Sequence, residues 1–588
     1  MPKTLKNNRR PSSIAASSKA ARPKAATPTA AAAIPKPVLF TALIGFALVA
    51  AFIVYAPSMN GAFVFDDRNQ TFLRPGAETF PLRSWLHVRP LLMLTYYLNL
   101  HLGGLDVFPY HVVNVVGHAF CSVLVFFVVR RVLALAQVPE NRRSILSLFC
   151  AGVFLLHPLQ TEAVSYISSR SEVMSVLFFL GAWLVFLARR DSAISIRTTI
   201  LVLLLYGCAM ASKEHTVVLP AVLLLTDYFW NPGFSFSGIR RNWKLYVPTA
   251  VAGVAGALFI LRYIGGGSNI GFNLKDLTWS QYLFTQFRAF FLYLRLFLFP
   301  YGQSADWNFP VSHTIFEHGA IFYGVALLIM IAAAIGFRRK FPLASFGFFV
   351  ALILFAPTSS IIPIHDTVAE RRMYLPFIGL LFIGCEGLSR LPLKRQTMVA
   401  VLTGLCLVYG SLSFARNRVW VNMETLWRDV VAKDSGNTRA LMGLGSAYAL
   451  EGKCAEAIPY LEVAASRTNA YQDLFNLAGA QECANRLDAA FATYSRALTV
   501  RQTAEAWAQI GFIRMKRGQA PEALDSLDRA TAIDGLNVLA NDYRGVIYLA
   551  MNRFDDAAAQ FQRALSVDPS NEMALRGLDR ARHHVSTY

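Results

Sequence analysis

The stretch Phe63-Val-Phe-Asp-Asp-Arg68 sets two adjacent carboxylates, Asp66 and Asp67, just beyond the first apolar run of the chain. A carboxylate pair there can take a proton from a polar acceptor, bind a metal, or form a solvated turn. Four other places also set ionisable residues beside apolar runs. They are Arg89-Pro90, leading through aromatics to Tyr97, His111 and Asn114; His157-Pro-Leu-Gln-Thr-Glu162 with Arg170 and Glu172; Lys213-Glu214-His215; and His365-Asp366 with Glu370-Arg371-Arg372-Met-Tyr374. Ionisable groups near a bilayer are costly to keep, which makes them candidates for function. Acids beside bases suit a substrate with a lipid tail and a phosphate head. A cation would neutralise the departing phosphate, and a carboxylate would accept the proton of an attacking hydroxyl. Each place also has a plainer reading: a turn at Asp66 and Asp67, a helix cap at His157, an ion pair of Glu162 with Arg170, and anchoring side chains at Arg371 and Arg372. Neither an HxxxH pattern nor a His-rich cluster occurs, so no metal is expected.

The elements that must hold these groups are membrane helices. The 588 residues are 55% hydrophobic and 16% charged, with 44 Phe, which fits a polytopic membrane protein with an appended soluble part. Apolar runs lie at 38–57, 111–130, 145–160, 172–188, 198–212, 216–230, 245–264, 319–337, 343–357, 373–389 and 397–415, eleven in all. Several fall short of the ~20 residues needed to span; 198–212 and 216–230 read as a hairpin of tilted helices. The net charge of +20 gathers in short clusters between runs, a topology signal rather than a nucleic-acid footprint. With eleven spans every cluster, from Arg130/Arg131 and Arg142/Arg143 to Arg390/Lys394/Arg395, lies on the cytoplasmic side. All five polar places then share the opposite face. Counting 282–299 as a span would invert the last two clusters. Its Arg288 and Arg295, seven apart and so on one helix face, suit an interfacial or re-entrant helix. Residues 1–36, basic and free of acids and aromatics, read as a disordered cytoplasmic tail.

From Thr438 the composition turns Ala-rich and repetitive, with units starting at Thr438, Tyr471, Ala504 and Val538, spaced by 33, 33 and 34. Small residues recur at the eighth position (Gly445, Ala478, Gly511, Gly545) and large ones at the twenty-fourth (Leu461, Tyr494, Leu527, Phe561). This pattern resembles the tetratricopeptide repeat, a stacked pair of helices whose array forms a groove. Residues 416–437 are expected to be a connecting helix. Cys454 and Cys483 fall in neighbouring turns of the array, so a disulfide is open to them in an oxidising compartment.

Phe65-Asp-Asp67, Arg89-Pro90-Leu, Asn114 with His118, His157-Pro with Thr161-Glu162-Ala-Val, Lys213-Glu214, Ala369-Glu370-Arg371 with Tyr374-Leu-Pro, and the repeat tail together resemble the transmembrane and tetratricopeptide-repeat-containing O-mannosyltransferases and their bacterial relatives. The resemblance implies an all-α GT-C membrane domain at 37–415 followed by a repeat solenoid at 438–588. It implies an inverting transferase moving a sugar, mannose in the family, from a polyprenyl- or dolichyl-phosphate carrier to a Ser or Thr hydroxyl of a protein. Asp66 or Asp67 would be the base, with Asp66 favoured. Arg371, Arg372 and Lys213 would hold the donor phosphate, and Arg89, His157, Glu162, Glu214 and Glu370 are further site candidates. No cofactor or metal is implied beyond the lipid-linked donor. The acceptor would be presented by the repeat groove. The protein would lie in a bacterial inner membrane, or alternatively in the endoplasmic reticulum, with its repeats periplasmic or luminal. Two rivals are a non-catalytic membrane scaffold and an enzyme of the same fold acting on a glycan or lipid. Asn69-Gln-Thr71 is a formal N-glycosylation triplet, and a glycan there would count against a site at Asp66.

Overall fold

The computed structural model describes residues 37–86, 88–264 and 270–586; the basic tail expected at 1–36 lies outside them. Among the described residues the fold is helical, with a single isolated bridge between Ile270 and Ile364. Six helices among the described residues are long and apolar enough to cross a membrane: Phe40–Ser58, Val107–Leu135, Ile167–Arg189, Trp243–Arg262, Glu317–Gly336 and Arg395–Trp420. A seventh forms if Glu140–Leu156 and Pro158–Ser165, bent by 50° at His157, count as one span. Six or seven full-length spans thus stand where eleven apolar runs occur. The other runs fold as shorter helices: Ile196–Ser212, Leu219–Trp230, Pro342–Phe355 and Phe377–Arg390. Fourteen residues make about 21 Å of helix, less than a ~30 Å hydrocarbon core. Turns and 3-10 segments such as Glu214–Val218 and Glu370–Met373 continue these helices and carry polar groups. The doubtful run at 282–299 is the helix Trp279–Leu298, and it is not among the apolar spans.

Two short helices pack through glycine. A Cβ on Gly347 would lie 2.4 Å from the Gly379 carbonyl oxygen, and one on Gly379 would lie 2.5 Å from that of Gly347. The helices Pro342–Phe355 and Phe377–Arg390 therefore meet backbone to backbone, the small-residue contact by which helices associate in lipid.

The basic clusters meet at one end. Arg142 donates to the carbonyls of Ser389 (2.6 Å) and Leu391 (2.9 Å). Arg390 donates to that of Lys340, and Arg241 to that of Arg190. Along the helix Val107–Leu135, about 30 Å separates Arg131 at this end from His111 at the other. That is the thickness of a bilayer core.

At the opposite end three segments are tied together. Asn417 donates to the Val54 carbonyl (2.9 Å) and accepts from the Ser165 hydroxyl (2.7 Å), which also meets Ser58 (2.9 Å). The first apolar helix, the 161–172 segment and the last apolar helix thus share one polar knot.

The C-terminal helices pair as the repeat pattern requires. Helices begin at Thr438, Tyr471, Ala504 and Val538. A Cβ on Gly445 would meet Leu461 at 2.6 Å, one on Gly511 would meet Leu527 at 2.7 Å, and one on Gly545 would meet Phe561 at 2.6 Å. The eighth position must stay small because the twenty-fourth fills the space against it. Cys454 and Cys483 are joined in a disulfide, with Cα atoms 5.9 Å apart.

Candidate functional site

The segment 161–172 is the hub of the polar end. It is chopped into short helices, Thr161–Ser165, Ile167–Ser169 and the start of Arg170–Arg189. Each break aims another side chain or backbone group at a different partner. Glu162 holds Arg371, accepting from its backbone N–H at 3.0 Å and from its guanidinium. The Tyr166 hydroxyl accepts from the Asp66 backbone N–H at 3.0 Å. Ser168 donates to Asp67 through both its backbone N–H (2.7 Å) and its hydroxyl (2.5 Å). Arg170 donates to Asn114 at 3.0 Å. Glu172 pairs with Lys213 and stands 3.7 Å from His215. Four of the five polar places are therefore joined directly to residues of the fifth.

The two adjacent aspartates differ in environment. Asp67 is wholly buried, and its second oxygen accepts from the Val64 N–H at 3.0 Å. Burial pushes its carboxyl up to about 7, against three hydrogen bonds that favour the charge. Asp66 is exposed, and among the described residues its carboxylate has no hydrogen-bond or ion-pair partner. Phe65, just before it, takes a left-handed backbone (φ 47°). Such strain in a non-glycine residue persists only where surroundings enforce it. Here the Phe65 ring is wedged edge-on against Trp427 (4.9 Å) and Tyr166 (5.8 Å). Gly61 admits the same loop against the connector, since a Cβ there would lie 2.5 Å from the Trp420 carbonyl oxygen.

The basic candidates also differ. Lys213 is paired with Glu172, and Arg89 is bound in fork geometry to Glu214 at 2.8 and 2.9 Å. Arg371 pairs with Glu162 and, at 3.6 Å, with Asp366. Arg372 donates to the Tyr282 hydroxyl (3.0 Å) and to the carbonyls of Thr367 (3.1 Å) and Asp366. No carboxylate forms an ion pair with it among the described residues, so its charge is the least compensated. Tyr166 lies close enough to Asp66, Asp67 and Arg371 to feel all three charges. Lys213 likewise feels Arg89 and Arg371.

Two candidates are structural in geometry. His157 is buried; its Nδ1 accepts from the Leu159 N–H (3.2 Å) and its Nε2 lies 3.0 Å from the Phe297 carbonyl. It caps the bend, as the plainer reading has it. Glu370, also buried, accepts from Gln303 (2.7 Å), the Ser304 N–H (2.7 Å) and Trp307 (3.3 Å), fixing the 303–307 loop. Its carboxyl is pushed up to about 7 by burial. Glu162 does not pair with Arg170; it reaches 209 positions along the chain to Arg371. Tyr166, Ser168 and Tyr282 join the site without any charge to mark them in the sequence.

The tetratricopeptide repeat family matches residues 424–473 and 538–571, the first match starting inside the connector helix Met423–Lys433. Protein O-mannosyl-transferase TMTC1 of Homo sapiens is 26% identical over 485 residues, 71% of this chain and 54% of its own length. TMTC4 of Homo sapiens is 27% identical, covering 70% of this chain and 64% of its own. TMTC3 of Homo sapiens is 22% identical, covering 84% of this chain and 62% of its own. The chain thus spans between about half and two thirds of these relatives' length. Among solved structures, a thermophilic TPR protein of Thermus thermophilus aligns with 31% of this chain and 95% of its own, at 21% identity and a TM-score of 0.24. The chain is similar to the TMTC protein O-mannosyl-transferases over most of its own length, and it carries tetratricopeptide repeats.

Proposed function

We propose that this protein is a membrane glycosyltransferase moving a sugar from a polyprenyl-phosphate carrier to a Ser or Thr hydroxyl of a protein. The names of its relatives favour mannose. The observation that carries the proposal is the join between an exposed, unpaired carboxylate and a paired arginine through one short segment: Asp66 on Tyr166 and Arg371 on Glu162.

In this reading Asp66 takes the proton of the attacking hydroxyl. Asp67, buried and held by Ser168 and Val64, positions it. The hydroxyl oxygen bonds to the sugar's anomeric carbon as the bond to the phosphate oxygen breaks, inverting that carbon. Arg371 and Arg372 receive the charge that develops on the departing phosphate. The site faces the non-cytoplasmic side, since the basic clusters gather at the other end, and the repeats present the acceptor from that side. The residues present need no metal for these roles. Turnover of a polyprenyl-phosphate mannose by the purified chain tests the reading; unchanged rates in both Asp66→Asn and Asp67→Asn would end the general-base assignment.

A non-catalytic scaffold is the second reading. It is favoured by the internal pairing of Arg89, Lys213 and Arg371 with Glu214, Glu172 and Glu162. A scaffold would gain no thermal stability from the donor lipid, whereas a transferase binding it would.

A further inference from the structure

A charged side chain of the first repeat reaches the polar end of the membrane domain. Arg439, at the second position of the helix Thr438–Leu450, pairs with the buried Asp306 and donates to Asp366 at 3.0 Å. It also lies near enough to Asp66 to feel its charge. Asp366 is shared, because its other oxygen stands 3.6 Å from the Arg371 guanidinium. Arg439 and Arg371 thus compete for one carboxylate. Asn437, the cap of the same helix, donates to Asp306 at 2.9 Å, so Arg439 is delivered from a fixed point. A second tie runs beside the first. Lys433 of the connector donates to the Gln303 carbonyl at 2.6 Å, and Gln303 in turn donates to Glu370.

We propose that Arg439 is a positioning residue of the transfer site: it draws Asp366 away from Arg371 and so leaves the Arg371 charge available to a donor phosphate. The inference rests on the transferase reading above. Without Arg439, Asp366 closes on Arg371. Two carboxylates, Glu162 and Asp366, then neutralise a single guanidinium, and an incoming phosphate meets less positive charge. The repeats are on this account part of the donor site as well as a platform for the acceptor, and a load on the first repeat is felt at Arg371.

The test uses the full chain in lipid nanodiscs, with polyprenyl-phosphate mannose as donor and a Ser/Thr-rich peptide as acceptor. Arg439→Ala should raise the donor KM about tenfold, a coupling of ordinary size, with the acceptor KM unmoved. Arg439→Lys, which keeps the charge, should recover most of the loss. Adding Asp366→Asn to Arg439→Ala should return the donor KM close to that of the unaltered chain, because the competing carboxylate is gone. A purely structural contact cannot be rescued that way. A donor KM unchanged in Arg439→Ala, or a raised KM that Asp366→Asn leaves in place, overturns the proposal. If the unaltered chain turns over no donor, the transferase reading fails, and thermal unfolding then decides the relay. Arg439→Ala and Arg371→Ala, which form no ion pair with one another, should be non-additive if Asp366 couples them; additive midpoints would refute the coupling.

Discussion

The carboxylate of Glu162 accepts from both the backbone N–H and the guanidinium of Arg371, 209 positions away. Glu162 is almost fully buried, with 3% of its side chain exposed, while Arg371 keeps 25%. Glu162 grips the arginine from the buried side, while its exposed part stands 3.6 Å from Asp366.

On the proposed transferase reading, Arg371→Ala should lower transfer about 10²- to 10³-fold, the cost of losing one charge aimed at a developing anion. Glu162→Ala should instead destabilise the fold by about 1–3 kcal/mol, since it leaves the arginine only its longer contact with Asp366. Paired kinetics and thermal unfolding separate the two. Equal transfer by Arg371→Ala and the unaltered chain would remove Arg371 from the mechanism.

Asp66 and Asp67 should separate by the same pair of measurements. On the same reading, Asp66→Asn is expected to abolish turnover with an unchanged unfolding midpoint, because its carboxylate is exposed and has no partner among the described residues. Asp67→Asn puts an amide N–H where one of the buried donors now ends. It should destabilise the loop by about 1–3 kcal/mol. A midpoint that shifts in Asp66→Asn but not in Asp67→Asn would reverse the two roles.

Stability should fall as pH rises toward 8. Asp67 and Glu370 keep their protons to about pH 7 in the folded chain, whereas unfolded carboxylates release theirs near pH 4. A raised folded value contributes stability that is full below the unfolded value and is lost as pH climbs through the folded one. The slope is about 1.4 kcal/mol per pH unit for each group between those limits. Unfolding midpoints at pH 5.5 and 8.0 check this, and Asp67→Asn or Glu370→Gln should flatten the difference. A midpoint that rises with pH would contradict it.

The disulfide of Cys454 with Cys483 closes a separation of 29 residues across the first two repeats. Chain-entropy arguments value such a loop at about 3–4 kcal/mol. Replacing both with Ser should lower repeat stability by that order, and peptide mass spectrometry without reductant should recover the linked pair. Two free thiols in protein isolated from its membrane would refute the bond.

Features that depend on neighbours along the chain are legible in the residues alone. The repeat starts at Thr438, Tyr471, Ala504 and Val538 follow from a local alternation of small and large residues. So does the need for glycine opposite Leu461, Leu527 and Phe561. The basic clusters were equally legible, because charge near a helix end is a local property. The number of full spans was less so: composition marks an apolar run, but capping turns such as Glu214–Val218 decide how much of it is helix. Tertiary structure alone decided that Asp67 is buried and Asp66 is not, since adjacent residues of the same type differ only in what packs around them. It alone made Glu162 the partner of Arg371 rather than Arg170, and it alone brought Arg439 out of the repeats to Asp366. Those pairings join positions dozens to hundreds of residues apart. They are set by how helices pack, a geometry that no periodicity along the chain encodes.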